Sequence, residues 1–468
     1  MVVVTASAQK ENKTILLFNV NIVQVESGTL HKEKALLIEG DKIKAIGSFD
    51  QLSRGVAKSS LLDGRDKFLI PGLWDMHLHF EGAELVEDNK LLLPVFLAYG
   101  ITTVRDCASD LGEQVLQWRE EIKKGELVGP TIFTAGRKLE GKNSIWKGDL
   151  EIENEAELNA MLDLLYQYKV DFVKITENTL GGELFLQSVK ASHARGYRVS
   201  GHVPYDLSIA ELHRAGFTSV EHMGYLLRLG SDDEKIAADV RSGKITKTEA
   251  EQKYTLEFDQ ELALKKYKTL GAEGLFVCPT FIGGRQLAYL SETDHRQDQF
   301  LDFLSEKFVS NYQWRIERMG NENETQRQQR KDKYVFLKKQ LPLIYNSGIN
   351  VIAGSDAAAL NTYVYPAESL IQELEIFEEA GLTPSQILKT ATMNGASYFG
   401  MADKTGTIAT GKIADLVLLD KNPLENISAV RSVNSIIAKG IYYDRAMLDA
   451  ILMAAKEKKT ALDSQRKK

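Results

Sequence analysis

The sequence predicts an α/β fold: a (β/α)8 (TIM) barrel carrying a small β-sandwich domain built from both chain termini. Three observations lead there. Through the middle of the chain short apolar runs alternate with helical stretches, the sequence sign of a parallel sheet. Eight such runs occur, the number that closes a barrel. A β-rich block precedes them and another follows, as if one small domain were assembled from the two ends.

The first block holds runs at 15–20, 35–38, 42–46 and 68–70, and the Glu39-Gly40-Asp41 step between the second and third is a hairpin signal. The eight central runs are 73–77, 102–105, 131–134, 172–175, 198–202, 219–222, 275–278 and 350–354. An open doubly wound sheet would send its first strand into a glycine-rich phosphate turn, whereas this one runs into His77-Leu78-His79. Two connections, 224–274 and 281–349, are long and helical in composition, and both are expected on the C-terminal face as a lid. Within the second, 327–340 interleaves Lys and Arg with Gln and aliphatics and reads as a solvated helix face. The closing block has runs at 406–408, 414–420 and 433–439. The expected domains are therefore 1–70 and 404–468, which share the β-sandwich and end in a terminal helix, and 71–403, the barrel with its helical insertions.

At 468 residues the chain exceeds the usual single-domain range, which fits one large and one small domain. Hydrophobic residues at 43% and charged residues at 26% are ordinary globular usage, so the chain reads as soluble. With 65 acidic against 58 basic residues it offers no basic surface for nucleic acid. Cys107 and Cys278 lie far apart, which excludes a disulfide framework or a Cys-rich zinc knuckle. No stretch of about 20 apolar residues could span a bilayer. Residues 6–8 have the small-x-small pattern of a signal-peptidase site but lack a basic region and a full apolar core, so cytoplasmic and exported locations both stay open. Oligomeric state is equally open.

His77 and His79 stand two apart on the first strand, so both imidazoles face the same side and can converge on one ion. His202 ends the fifth strand, His222 ends the sixth and Asp356 follows the eighth. In a barrel these ends meet on one face, where catalytic residues belong. Four of the eight His thus fall at strand ends; His31, His193, His213 and His295 sit in turn-like or helical contexts and read as structural. Lys174 shares an inward face of the fourth strand with Val170, Phe172 and Thr176. Either it pairs with a nearby carboxylate, or burial leaves a neutral amine that reacts with CO2 to give a carbamate, an anionic bridge between two divalent ions. Charge favours the second reading: two ions give about +4, and a carbamate, Asp356 and a bridging hydroxide about −3, leaving a small positive charge for a developing oxyanion.

Taken together, Gly72-Leu73-Trp74-Asp75-Met76-His77-Leu78-His79, Phe172-Val173-Lys174-Ile175, Gly201-His202-Val203, Ser219-Val220-Glu221-His222 and Gly354-Ser355-Asp356 resemble the amidohydrolase superfamily, nearest its imidazolonepropionase-related and prolidase-like branch. Ala391-Thr392-Met393-Asn394 and the ending 406–417 are similar to it too, so the resemblance spans nearly the whole chain. It implies two divalent metal ions, zinc first among them. His77 and His79 would hold the buried ion, His202 and His222 the exposed one, a carboxylated Lys174 would bridge both, and Asp356 would ligate the buried ion and carry the proton. The implied activity is hydrolysis of a carbon–nitrogen bond in a small amide or dipeptide-like substrate by a metal-bridging hydroxide; lactone, ester or carbamate hydrolysis, or a non-catalytic binding barrel, are the alternatives. Deaminase relatives carry a Glu close after a metal-binding His, and 203–206 and 223–225 supply none. Dipeptidase members place a Tyr two residues after the fifth-strand His, where this chain has Pro204, with Tyr205 next to it. Tyr205, Arg137 and Arg285 are the expected substrate contacts.

Overall fold

The computed structural model describes residues 14–467, so the signal-like residues 6–8 lie outside it. Strand β1 (Thr14–Gln24) pairs antiparallel with β2 (Thr29–Glu39), its register shifting on both sides of Val20 beside Asn19, whose φ is 57°. Such a bulge lets one long strand bend. Strand β3 (Lys42–Gly47) completes a hairpin across Gly40, at φ 60°. Strands β4 (Leu61–Asp63) and β5 (Phe68–Pro71) lie parallel on β1.

The middle of the chain forms two parallel sheets. In one, β6 (Leu73–Leu78), β7 (Ile101–Asp106) and β8 (Thr131–Thr134) are neighbours in that order. The other adds β9 (Leu139–Gly141), β10 (Leu150–Ile152), β11 (Val173–Ile175), β12 (Val199–Gly201), β13 (Phe217–Glu221), β14 (Phe276–Cys278) and β15 (Asn350–Val351), in the order β10-β9-β11-β12-β13-β14-β15. The sheets meet at two seams, where Asp171 N–H donates to Thr134 O at 2.9 Å, and Met76 N–H to Ala353 O at 2.9 Å beside a parallel bridge between Leu78 and Ala357. All eight central strands expected from the sequence are present, four of them shorter than expected, whereas the run expected at 406–408 in the closing block forms no strand. β9 and β10 were not expected: three residues each give periodicity nothing to register. β6, β7, β11, β12 and β14 are buried at every position, as parallel strands covered on both faces must be.

The chain then returns to the first sheet. Strand β16 (Leu416–Leu419) pairs antiparallel with β5, β17 (Val433–Ala438) with β16, and β18 (Ile441–Tyr443) with β17. The result is one mixed sheet drawn from both ends, ordered β18-β17-β16-β5-β1-β2-β3. Its far edge also touches the C-terminal segment, through a bridge between Lys42 and Ile413. β16 shows why its whole run is apolar: Leu416 and Leu418 pack into the sheet's own core with Ile22 and Leu69, while Val417 and Leu419 join the large core continuous with the parallel sheets.

The first long connection folds into helices Asp233–Arg241, Lys247–Leu256 and Gln260–Ala272, and the second into Phe281–Ala288, Gln313–Gly320 and Glu324–Asn346, the last mostly solvated apart from residues such as Tyr334 and Leu341. A terminal helix, Arg445–Arg466, buries Leu448 and Ala455 and pairs Arg466 with buried Asp88. No helix among the described residues is long and apolar enough to cross a membrane.

Candidate metal centre

Six residues named from the sequence come from the C-terminal ends of β6, β11, β12, β13 and the segment after β15. Glycines make two of these approaches close. A Cβ on Gly201 would collide with the Ile175 carbonyl oxygen, and one on Gly354 would sit 2.6 Å from the His77 nitrogen. His222 and Asp356 have positive φ, 72° and 56°, held by His222 N–H on Cys278 O at 2.8 Å and Asp356 N–H on His77 O at 2.6 Å. Non-glycine backbone in that region is costly and persists where its surroundings fix it, as at functional sites.

Each imidazole is oriented by a bond at Nδ1. His77 Nδ1 lies 2.8 Å from Glu221 Oε2, His79 Nδ1 2.8 Å from Ala108 O, and His202 Nδ1 2.9 Å from Glu177 Oε2. A carboxylate and a carbonyl only accept, so these three nitrogens carry the proton. His222 Nδ1 meets Thr280 Oγ1 at 2.7 Å; that hydroxyl already donates to Pro279 O at 2.8 Å, so here too Nδ1–H donates. All four Nε2 atoms are then lone-pair acceptors, and they face one another: His77 and His79 at 3.3 Å, His202 and His222 at 3.1 Å. Asp356 Oδ1 stands 3.4 Å from His77 Nε2 and 3.3 Å from His79 Nε2. Acceptors at this range repel unless a cation lies among them. Ligands at about 2.0–2.1 Å around a tetrahedral ion would be about 3.3–3.4 Å apart, which these separations match.

For His77 and His222 the electrostatics agree. Burial, together with the charge of Lys174, lowers His77 to about 4, so its imidazole stays neutral. Burial also drives His222 far down. His79 moves up in spite of burial, because the Asp356 carboxylate shares its Nε2 position. Burial alone would raise Asp356, but His77, His79 and His222 around it hold its carboxyl far below the usual range. Lys174 is 1% exposed, and its Nζ has no hydrogen-bond partner among the described residues. Of the two readings made from the sequence, the salt bridge therefore finds no carboxylate.

The orienting residues were missed at the sequence level. Glu221 lies inside a quoted motif, yet its role depends on Arg105, whose guanidinium reaches both its oxygens at 2.8 and 2.9 Å. Burial would raise Glu221, but Arg105 and His77 hold it well below its ordinary value. For Glu177, burial is outweighed by His202 and by Tyr225, whose hydroxyl donates at 2.5 Å, bringing the carboxyl to about 2. His77, Cys107 and Glu221 form a second cluster of metal-ligand type. Burial pushes the Cys107 thiol far up, and a protonated thiol is a poor ligand.

His79, Lys174, His202, His222 and Asp356 line a cavity of about 700 Å3. The expected substrate contacts do not line it. Arg137 braces a loop, donating to Gly148 O at 3.0 Å and Glu113 at 3.4 Å. Arg285 pairs with Glu379 at 2.9 Å on the surface. Tyr205 turns away to stack on Tyr254 beneath the Arg228 guanidinium, which fixes the preceding Pro204 carbonyl at 2.7 Å. Of the expected lid, the second insertion reaches the cavity through Asn311, Trp314, Arg315 and Arg318, while the first approaches the centre through Tyr225. The segment between β9 and β10 adds Ile145, Trp146 and Lys147 to the wall.

Residues 68–442 match the Amidohydrolase family. The chain belongs to that family. Like its other members, this amidohydrolase is a hydrolase acting on carbon–nitrogen bonds. Among curated relatives, a 5-methylthioadenosine/S-adenosylhomocysteine deaminase from Caldanaerobacter subterraneus is 24% identical over 426 residues, 87% of this amidohydrolase and 85% of that protein. Among solved structures, a Xaa-Pro dipeptidase with methionine bound in its active site superposes with TM-score 0.66 at 21% identity, covering 92% of this chain and all of that one (100%). A bottromycin amidohydrolase gives TM-score 0.72 at 18% identity over 96% and 91%. At these identities the two structures establish a shared fold.

Proposed function

We propose that this amidohydrolase is a binuclear metal-dependent enzyme that hydrolyses acyclic amides, of the N-acyl amino acid or dipeptide kind. The observation that carries the reading is the set of four Nε2 acceptors facing one another beside Asp356 and a buried, partnerless Lys174. His77, His79 and Asp356 would hold one ion, His202 and His222 a second, and a carboxylated Lys174 both. Bound there, such ions, zinc by ligand type, would polarise a substrate carbonyl and bring a water's pKa near neutrality. The two seams between the parallel sheets support a closed barrel, and the mixed sheet, whose β3 edge meets the C-terminal segment at the Lys42–Ile413 bridge, supports a β-sandwich. The domains proposed are 71–403 for the barrel, with 1–70 and 404–468 sharing the sandwich.

The chain's own groups do the rest. Glu221 and Glu177 fix the tautomers of His77 and His202, so each Nε2 offers a lone pair. Asp356 takes the proton from water as oxygen adds to the acyl carbon, and returns it to the nitrogen as the carbon–nitrogen bond breaks.

Purified protein should contain two divalent ions per chain by elemental analysis. Chelation should abolish hydrolysis in a screen of N-acyl amino acids, dipeptides, lactones and carbamates, and lower Tm, since ions that bind only the folded chain stabilise it. One ion per chain, or turnover indifferent to chelation, would overturn the binuclear reading. Faster turnover of lactones than of amides would move the reaction class to esters on the same site. A second expected result concerns Glu177→Ala, which removes the acceptor of His202 Nδ1. Metal titration should show affinity weakened about 10–100-fold with Tm of the metal-free protein little changed; unaltered affinity would show that His202 needs no such support.

A further inference from the structure

The acidic groups around the cavity are already engaged. Asp149 binds Lys138 at 2.8 Å and Ser144 at 2.6 Å, Glu81 accepts from Leu360 N–H at 3.1 Å, and Asp110 accepts from Gly82 N–H at 2.9 Å. Asp356 faces the histidines, and Glu84 lies 3.8 Å from Lys307. Most of the cations are not. Lys138 is held by Asp149, but Arg315, Arg318 and Lys147 have neither an ion pair nor a side-chain hydrogen bond among the described residues. Arg318 and Lys147 are exposed, so water satisfies them. Arg315 is half-buried, lies against the Trp314 ring at 5.0 Å, and feels the charges of both Asp356 and Glu81. It is thus a partly desolvated guanidinium within the field of the reacting carboxylate, with five donors in a planar fork and nothing to receive them.

Among the mostly polar residues of the cavity wall, three large apolar side chains stand out. Trp314 comes from the same helix as Arg315, and Trp146 and Ile145 face the cavity from the loop between β9 and β10, Ile145 with 71% of its surface exposed. We propose that Arg315 anchors the free carboxylate of the substrate, and that Trp146, Trp314 and Ile145 receive a large apolar side chain beside it. This rests on the amide-hydrolase reading and deepens it: the preferred amides are those whose amine half is an apolar or aromatic amino acid with an unblocked carboxylate. A fork–fork pair accounts for the choice of Arg, because a carboxylate offers two oxygens at matching spacing.

The test compares N-acetyl-L-phenylalanine with N-acetyl-L-phenylalaninamide on metal-loaded protein, following acetate release and, separately, binding through tryptophan fluorescence. The native enzyme should prefer the acid by about 10–100-fold, chiefly in KM. Arg315→Ala should bring the acid-to-amide ratio close to one, with Arg315→Lys in between. An unchanged ratio in Arg315→Ala, or no native preference for the acid in either assay, overturns the assignment. If neither compound is hydrolysed while the acid still binds selectively and Arg315→Ala removes that selectivity, the anchor stands and the amide-hydrolase reading falls. A variant that misfolds would be recognised by its metal content and Tm, and Arg315→Lys then carries the comparison.

Discussion

Asp356→Asn is expected to keep its metal and lose about 10²–10⁴ of turnover, the usual worth of a positioned acid–base group. Asn retains an oxygen 3.3–3.4 Å from His77 and His79 Nε2 and retains the backbone bond to the His77 carbonyl. Its tolerance of left-handed backbone matches that of Asp, so φ 56° adds no new strain. What disappears is the group that receives a proton. The fall should appear in kcat and kcat/KM alike, since the interaction is made only as the reaction proceeds. Near-normal turnover would mean that another group moves the proton, with half-buried Glu81, whose pKa desolvation raises, the first to examine.

The convergence of the six candidate ligands was legible in the sequence because they sit on or just after strands. Alternation over two residues fixes which way His77, His79 and Lys174 face, and a strand's end fixes where they meet the others. Glu221 carried the same signal, since with Ser219 it faces one side of β13, but its partners His77 and Arg105 are 144 and 116 residues away and only the assembled parallel sheets join them. Glu177 and Thr280 lie just beyond strand ends, where periodicity stops informing. The expected substrate contacts fall outside the cavity lining for a related reason. Tyr205, Arg137 and Arg285 were chosen for closeness in sequence to strand ends, whereas loops make the cavity wall. The connection 281–349 turns back over the mouth and delivers Arg315, while Arg285 stays on the outside of its own helix with Glu379.

Lys174→Ala is expected to abolish turnover and the second ion, and small carboxylates such as acetate or propionate are expected to restore part of both. The side chain is 1% exposed in the middle of β11, and no acceptor reaches its Nζ. A permanent ammonium in that position would be costly, and it would also repel the cations that the four facing Nε2 atoms call for. A carbamate removes both difficulties, because it turns the same side chain into a pair of anionic oxygens. Truncation at Cβ leaves a gap in which an added carboxylate can present equivalent oxygens; an added alkylamine would restore only the ammonium. Rescue by amines, or full metal content in the unrescued variant, would make Lys174 a structural cation. Measuring metal content beside activity separates the outcomes, for a carboxylate that restores turnover should restore the second ion in the same proportion.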